Sequence, residues 1–237
     1  MSTVSSATVD GQKGQCGSLP PLPRIFTEAP APQAAHEETG SRLPVHSRAR
    51  RPLKHLASVA SFFVSRIDAP VDPLLERLIA SGCNESDLAR KAHGQIAIAS
   101  AKMAYQLYKE IFAGDRFRKL ATKGARVQRL LWASTGTKNP GYSDVKYVEA
   151  LIGPDTVNTV PLETLNAYRD HGEPKSRLEH DVKEAHWLLQ QLPELGIDID
   201  NVTRQLEDEG VEKFIKPFDK LLETVAQRSE RHLARHA

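Results

Sequence analysis

The residues best suited to chemistry lie in two short stretches. The first is 134–141, Ser-Thr-Gly-Thr-Lys-Asn-Pro-Gly, where hydroxyls, one lysine and two glycines crowd into a loop. The second is 61–66, Ser-Phe-Phe-Val-Ser-Arg. Serine hydroxyls and an arginine fork match the oxygens of a phosphate, and a lysine adds a point charge. Charge-assisted hydrogen bonds of this kind contribute roughly 1.5–3 kcal/mol each. The candidate anion ligands are therefore Ser61, Arg66, Ser134 and Lys138. An alternative role for Lys138 is a Schiff-base nucleophile, which requires loss of its proton near neutral pH. A polar loop does not supply the apolar pocket that this needs, so phosphate anchoring suits Lys138 better. For Arg66 the bland alternative is a surface ion pair with Asp68 or Asp72 at the end of a buried strand.

These groups need elements to hold them. Residues 56–65 form a compact apolar run suited to a strand buried on both faces, ended by Arg66, Asp68 and Pro70. A helix is expected over 71–80, closed by Ser81-Gly82. A long one follows, with Ile96, Ala99, Met103, Leu107 and Ile111 on one face and Gly114 at its end. Residues 127–133 read as a second strand running directly into the polar loop. Asp144 then opens a helix that Gly153-Pro154 closes. A third strand is expected over 156–160. Pro161 and Gly172 bracket a helix over 162–171. Further helices are expected over 178–195, 201–209 and 211–231, with Pro217 as a kink or restart. Strands alternating with helices imply an α/β fold with parallel pairing. Periodicity alone leaves a small open sheet and part of a barrel both open.

Composition narrows the class. The 237 residues carry 32 basic and 30 acidic side chains, too even a balance for a dedicated nucleic-acid binder. Cys16 and Cys83 suggest neither a disulfide framework nor a metal site, which fits a reducing compartment. No apolar run reaches the roughly 20 residues a membrane helix needs, and no secretory signal pattern opens the chain. A cytoplasmic protein without metal or cofactor is expected. His232 and His236 have helical spacing, but metal binding is not expected there. Asp198 and Asp200 are read as capping and turn residues. Residues 1–52 hold seven of the 15 prolines and a basic cluster at 46–51, and read as a disordered leader.

Four segments carry a family resemblance: SVASFFVSRID (58–68), KGARVQRLLWASTGTKNPGYSD (123–144), LIGPDTVNTVPLETLNAYRDHG (151–172) and QLEDEGVEKFIKPFDKLL (205–222). They resemble transaldolase in its longer bacterial form, in the family's order, from about Lys54 onward. The resemblance implies a (β/α)8 TIM barrel that acts in the pentose phosphate pathway. Such an enzyme moves a dihydroxyacetone unit from sedoheptulose 7-phosphate to glyceraldehyde 3-phosphate through a lysine Schiff base. It also implies that 56–65, 127–133 and 156–160 are the sixth, seventh and eighth barrel strands. The family's phosphate site then falls on Ser61, Arg66 and Ser134. Shorter members follow that last serine with an arginine; here the loop is longer and Lys138 is the nearest cation.

By the same resemblance, strands one to five have no counterpart. They carry the Schiff-base lysine and the acid/base carboxylates, so no catalytic residue is assigned here. The expectation is a partial barrel over 53–237, behind a leader over 1–52 unrelated to the family. That chain would be a truncated form, inactive by itself. Two alternatives stand beside it: a split-enzyme subunit needing a partner chain, and a non-catalytic sugar-phosphate binder. Because an unclosed barrel exposes strand edges, association through those edges is expected.

Overall fold

A computed structural model describes residues 53–236, with side chains as far as Ser229. The expected leader over 1–52, its basic cluster and Cys16 lie outside the described residues, as do the side chains of His232 and His236. After one 3-10 turn at Leu53–His55, the elements in order are β1 (Val59–Phe63), α1 (Ser65–Ser81), α2 (Ser86–Ala92), α3 (Ile96–Ala113) and α4 (Asp115–Ala121). They continue with β2 (Arg129–Ala133), α5 (Lys146–Ala150), β3 (Thr156–Asn158), α6 (Leu162–His171), α7 (Val182–Gln191) and α8 (Ile199–His236).

The fold is α/β with a parallel sheet, as the strand–helix alternation requires. Strand order is β1-β2-β3. Val59 pairs with Arg129 and Phe63 with Ala133, while Leu130 pairs with Thr156 and Trp132 with Asn158. This register puts Ala60, Phe62, Leu130 and Trp132 on one face and Val59, Ser61, Phe63 and Leu131 on the other. The first face meets the helices. Phe62 and Trp132 pack edge to face with ring centroids 5.9 Å apart. Val64, Val71, Leu75, Ile96, Met103 and Leu151 are buried with them. Every residue of α3 from Ile96 to Tyr105 is buried, because α1, α7 and β2 pack against the helix. Gly153 is required for space: a Cβ there would lie 2.6 Å from Leu178 Cδ2.

Several expected boundaries move. The strand expected over 56–65 is only Val59–Phe63, and α1 begins at Ser65, six residues before the expected helix. Pro70 and Pro73 do not stop it. Each removes one backbone donor, whose acceptors would be Arg66 and Ala69, and these border water near the helix start. Gly82 closes α1, as expected, and adopts the left-handed conformation. The helix after the polar loop is five residues starting at Lys146, not at Asp144.

The helix expected over 178–195 shrinks to Val182–Gln191. Arg177 and Leu178 both donate their N–H to Ile152 O at 3.0 Å, which holds the preceding segment as a loop. The two helices expected over 201–209 and 211–231 are one continuous α8. Pro217 lies within it where the helix is exposed all round, so water satisfies the freed Lys213 carbonyl. Asp198 caps α8, accepting from Asp200 N–H (3.0 Å) and Asn201 N–H (3.1 Å). The short helices α2 and α4 carry no expectation from the sequence. No described helix is long and apolar enough to cross a membrane.

Candidate functional site

The carboxyl ends of β1 and β2 meet at one rim. Beyond the regular pairing, Val64 N–H donates to Ala133 O (2.9 Å) and Ser65 N–H to Ser134 O (3.1 Å). Ser61 lies on the exposed face of β1, two residues before Phe63 on the same face. Arg66 is not at a strand end but in the first turn of α1, and its guanidinium carbon lies 4.6 Å from the centre of the Phe63 ring. Arg66 is thereby held on the same side of the sheet as Ser61. Stacking on an aromatic face leaves the in-plane N–H edges of a guanidinium free to donate.

The expected ion pair of Arg66 with Asp68 or Asp72 is absent. Both carboxylates are buried and engaged elsewhere. Asp68 accepts from Ala97 N–H (2.8 Å) and Tyr147 Oη (2.7 Å). Asp72 accepts from Gly94 N–H (2.9 Å) and Tyr142 Oη (2.6 Å). Among the described residues no carboxylate pairs with Arg66.

Ser134 follows β2 directly and has φ of 54°, in the left-handed region that costs a non-glycine residue roughly 1–2 kcal/mol. Strained backbone of this kind gathers at functional sites. The loop after it is tied down. Thr135 is fully buried and donates from Oγ1 to Asn158 Oδ1 at 2.9 Å, beside β3. Asn139 makes a turn in which its Oδ1 accepts from Gly141 N–H at 2.9 Å. Tyr142 then returns to α1. Lys138 lies at the exposed outer part of this loop, bordering a shallow groove with Asn139, Ser143 and Asp144. Arg66 and Ser134 follow the carboxyl ends of β1 and β2, and Ser61 lies mid-strand on the face that carries Phe63. No described contact links Lys138 to the other three.

A second polar cluster lies behind the rim and was not anticipated from the sequence. Tyr142 Oη also approaches His93 Nδ1 (3.3 Å), and His93 Nε2 meets Glu76 Oε1 (3.1 Å). Lys146 Nζ lies 3.2 Å from the centre of the Tyr142 ring. Burial raises the pKa of Asp68, opposed by the Ala97 N–H and the Tyr147 hydroxyl. Burial lowers that of Lys146, opposed by Asp68 and Asp72. Both tyrosines are pushed up, first by burial and then by the adjoining aspartates. The signal lay in spacing. With a helix starting at Ser65, Asp68 and Asp72 fall four apart on the same face as Val71 and Leu75. Two acids on an apolar helix face require buried donors. Among the described residues, no group of three or more His, Cys, Asp or Glu is arranged to hold a metal ion.

The family model for transaldolase/fructose-6-phosphate aldolase matches residues 24–225. The chain belongs to that family. It is 49% identical over 178 residues to transaldolase 2 of Nostoc sp. (strain PCC 7120), which is 73% of this chain and 47% of the relative. It is 47% identical over 177 residues to the transaldolase of Trichodesmium erythraeum, with 73% and 47% covered. It is 48% identical over 172 residues to that of Mycolicibacterium smegmatis, with 72% and 45% covered. The chain spans about half the length of the curated relatives it matches. Family membership accords with the α/β architecture and its parallel sheet.

Proposed function

We propose that this chain carries the phosphate-receiving rim of a transaldolase-type site. Its three strands then correspond to the sixth, seventh and eighth of a (β/α)8 barrel. Ser61, Arg66 and Ser134 receive the phosphate of a ketose or aldose, and Lys138 adds charge from the loop tip. The observation that carries this reading is Arg66. It is stacked on Phe63, on the face that carries Ser61, with no acidic partner among the described residues, while Asp68 and Asp72 are engaged by other donors. An arginine left unpaired at the carboxyl ends of parallel strands is placed for an anionic ligand.

The reaction this rim serves is transfer of a dihydroxyacetone unit between sugar phosphates through a lysine Schiff base. On this reading the Schiff base forms outside the rim, and these 237 residues by themselves bind the sugar phosphate without reacting. Calorimetric titration with fructose 6-phosphate tests the binding. Arg66→Ala is expected to weaken it roughly ten- to hundredfold, the equivalent of one or two charge-assisted bonds. Equal affinity in the two proteins removes the proposal. Borohydride treatment in the presence of fructose 6-phosphate tests the chemistry: no lysine adduct is expected, and a covalent adduct on any lysine of this chain overturns that part.

A second reading is favoured by the exposed sheet face and edges: a subunit that completes its site with another polypeptide. Activity appearing only on mixing with that polypeptide supports it. A chain that stays monomeric and unpaired in its native extract counts against it.

A further inference from the structure

The cluster behind the rim bears on how the rim keeps its shape. The loop that starts at Ser134 is tied to α1 twice. At its start, Ser134 O accepts from Ser65 N–H at 3.1 Å. At its end, Tyr142 Oη donates to Asp72 Oδ2 at 2.6 Å. Seven residues of helix separate the two attachment points, about 10 Å along the axis at the standard rise. The loop between them could extend more than ~25 Å. It therefore has slack, and its path is fixed by where its two ends are held. Arg66 stands on the same helix, one residue from the first tie.

The second tie is built with care for fit. Gly94, at φ 68° in the turn between α2 and α3, donates its N–H to Asp72 Oδ1. A Cβ there would lie 2.5 Å from both Tyr142 Oη and Lys146 Nζ. The turn can close on the tyrosine only because that residue is glycine. Lys146 lies over the ring, its Nζ 3.2 Å from the ring centre, and His93 meets the hydroxyl. Four residues from three parts of the chain, Asp72, His93, Gly94 and Lys146, converge on one side chain at the end of the loop.

We propose that Tyr142 and Asp72 are positioning residues. Their hydrogen bond holds the loop on α1, so that the strained Ser134 and the stacked Arg66 present one fixed arrangement to a phosphate. The inference rests on the phosphate reading above for its ligand, but the tie itself is measurable without one. Tyr142→Phe keeps the ring beneath Lys146 and removes only the hydroxyl.

Titration with fructose 6-phosphate is made on wild type, Tyr142→Phe, Ser134→Ala and the double variant. Tyr142→Phe is expected to weaken binding roughly five- to tenfold, as for loss of one hydrogen bond. That loss should nearly vanish in the Ser134→Ala background, because positioning acts through Ser134. Full additivity, or unchanged affinity in Tyr142→Phe, overturns the proposal.

Amide hydrogen exchange on the same samples without ligand is expected to quicken over 135–143 and stay unchanged in α3. Unchanged exchange over the loop also overturns it. If wild type does not bind fructose 6-phosphate while the loop still responds, the phosphate reading falls and the tie stands. Should Tyr142→Phe raise exchange in α3 as well, Asp72→Asn replaces it. That variant keeps an acceptor for Gly94 N–H and removes the charge that faces the hydroxyl, and the same outcomes decide.

Discussion

Phe62 and Phe63 are neighbours in β1 and occupy opposite environments. Phe62 packs edge to face on the buried Trp132 beneath the helices, while Phe63 is 45% exposed and carries the Arg66 guanidinium. The contrast extends to the whole sheet. One face is closed by α1, α3 and their neighbours; the other shows Val59, Ser61 and Phe63 to solvent among the described residues. It recurs in α8, where Ile199 is buried and Val202 and Leu206 pack on the core, whereas Val211, Phe214, Phe218 and Leu222 are exposed. The closed face holds the fold together. The open face mixes hydroxyls, a cation and apolar side chains, which is the composition a surface needs to receive a ligand or another polypeptide.

Substitutions on the two faces test how separate they are. The largest effect is expected at Trp132, fully buried at the centre of the closed face. Trp132→Ala should cost about 3–5 kcal/mol in denaturant unfolding. A cost below about 1 kcal/mol would mean that the closed face is not the core. Next is the adjacent pair. Phe62→Ala is expected to cost about 2–3 kcal/mol, at or below the lower end for a core phenylalanine because it is partly exposed. Phe63→Ala should cost no more than about 1 kcal/mol, chiefly the stacking of Arg66. Equal costs in the two variants would erase the distinction between the faces.

The smallest effect is electrostatic and lies outside both faces. His171, at the end of α6, meets Asp144 (2.9 Å) and Asp170 (3.3 Å). Hydrogen bonds to those carboxylates, Asp144 first, raise its pKa above the usual 6.5. A folded value above the unfolded one means stabilisation present in full below 6.5 and lost as pH rises through the raised value. The difference in thermal midpoint between wild type and His171→Asn should therefore be small and positive in acid and fade above neutrality. A difference that grows with pH contradicts the pairing.

Much of this was legible in the residues themselves. The bounds of α6 follow from Pro161 and Gly172, the long α3 from its apolar spacing, and the parallel sheet from the alternation of strands and helices. These are local signals: each depends on residues within a few turns of one another. The motifs around Ser61 and Ser134 also pointed to the family. By contrast, the start of α1 was misplaced because Pro70 and Asp68 read as breakers. In the folded chain Asp68 is saturated by Ala97 N–H and Tyr147 Oη, 29 and 79 residues away.

The sequence by itself determined the three strands and most of the longer helices, which family the chain belongs to, and which side chains could bind an anion. Only the tertiary structure decided that Asp68 and Asp72 are unavailable to Arg66, that Arg66 stacks on Phe63 on the face that carries Ser61, and that Tyr142 ties the loop to α1. The reason is physical. A propensity or a cap is settled within one turn of chain, whereas the partner of a buried charge is set by which distant donors the packing brings within about 3 Å.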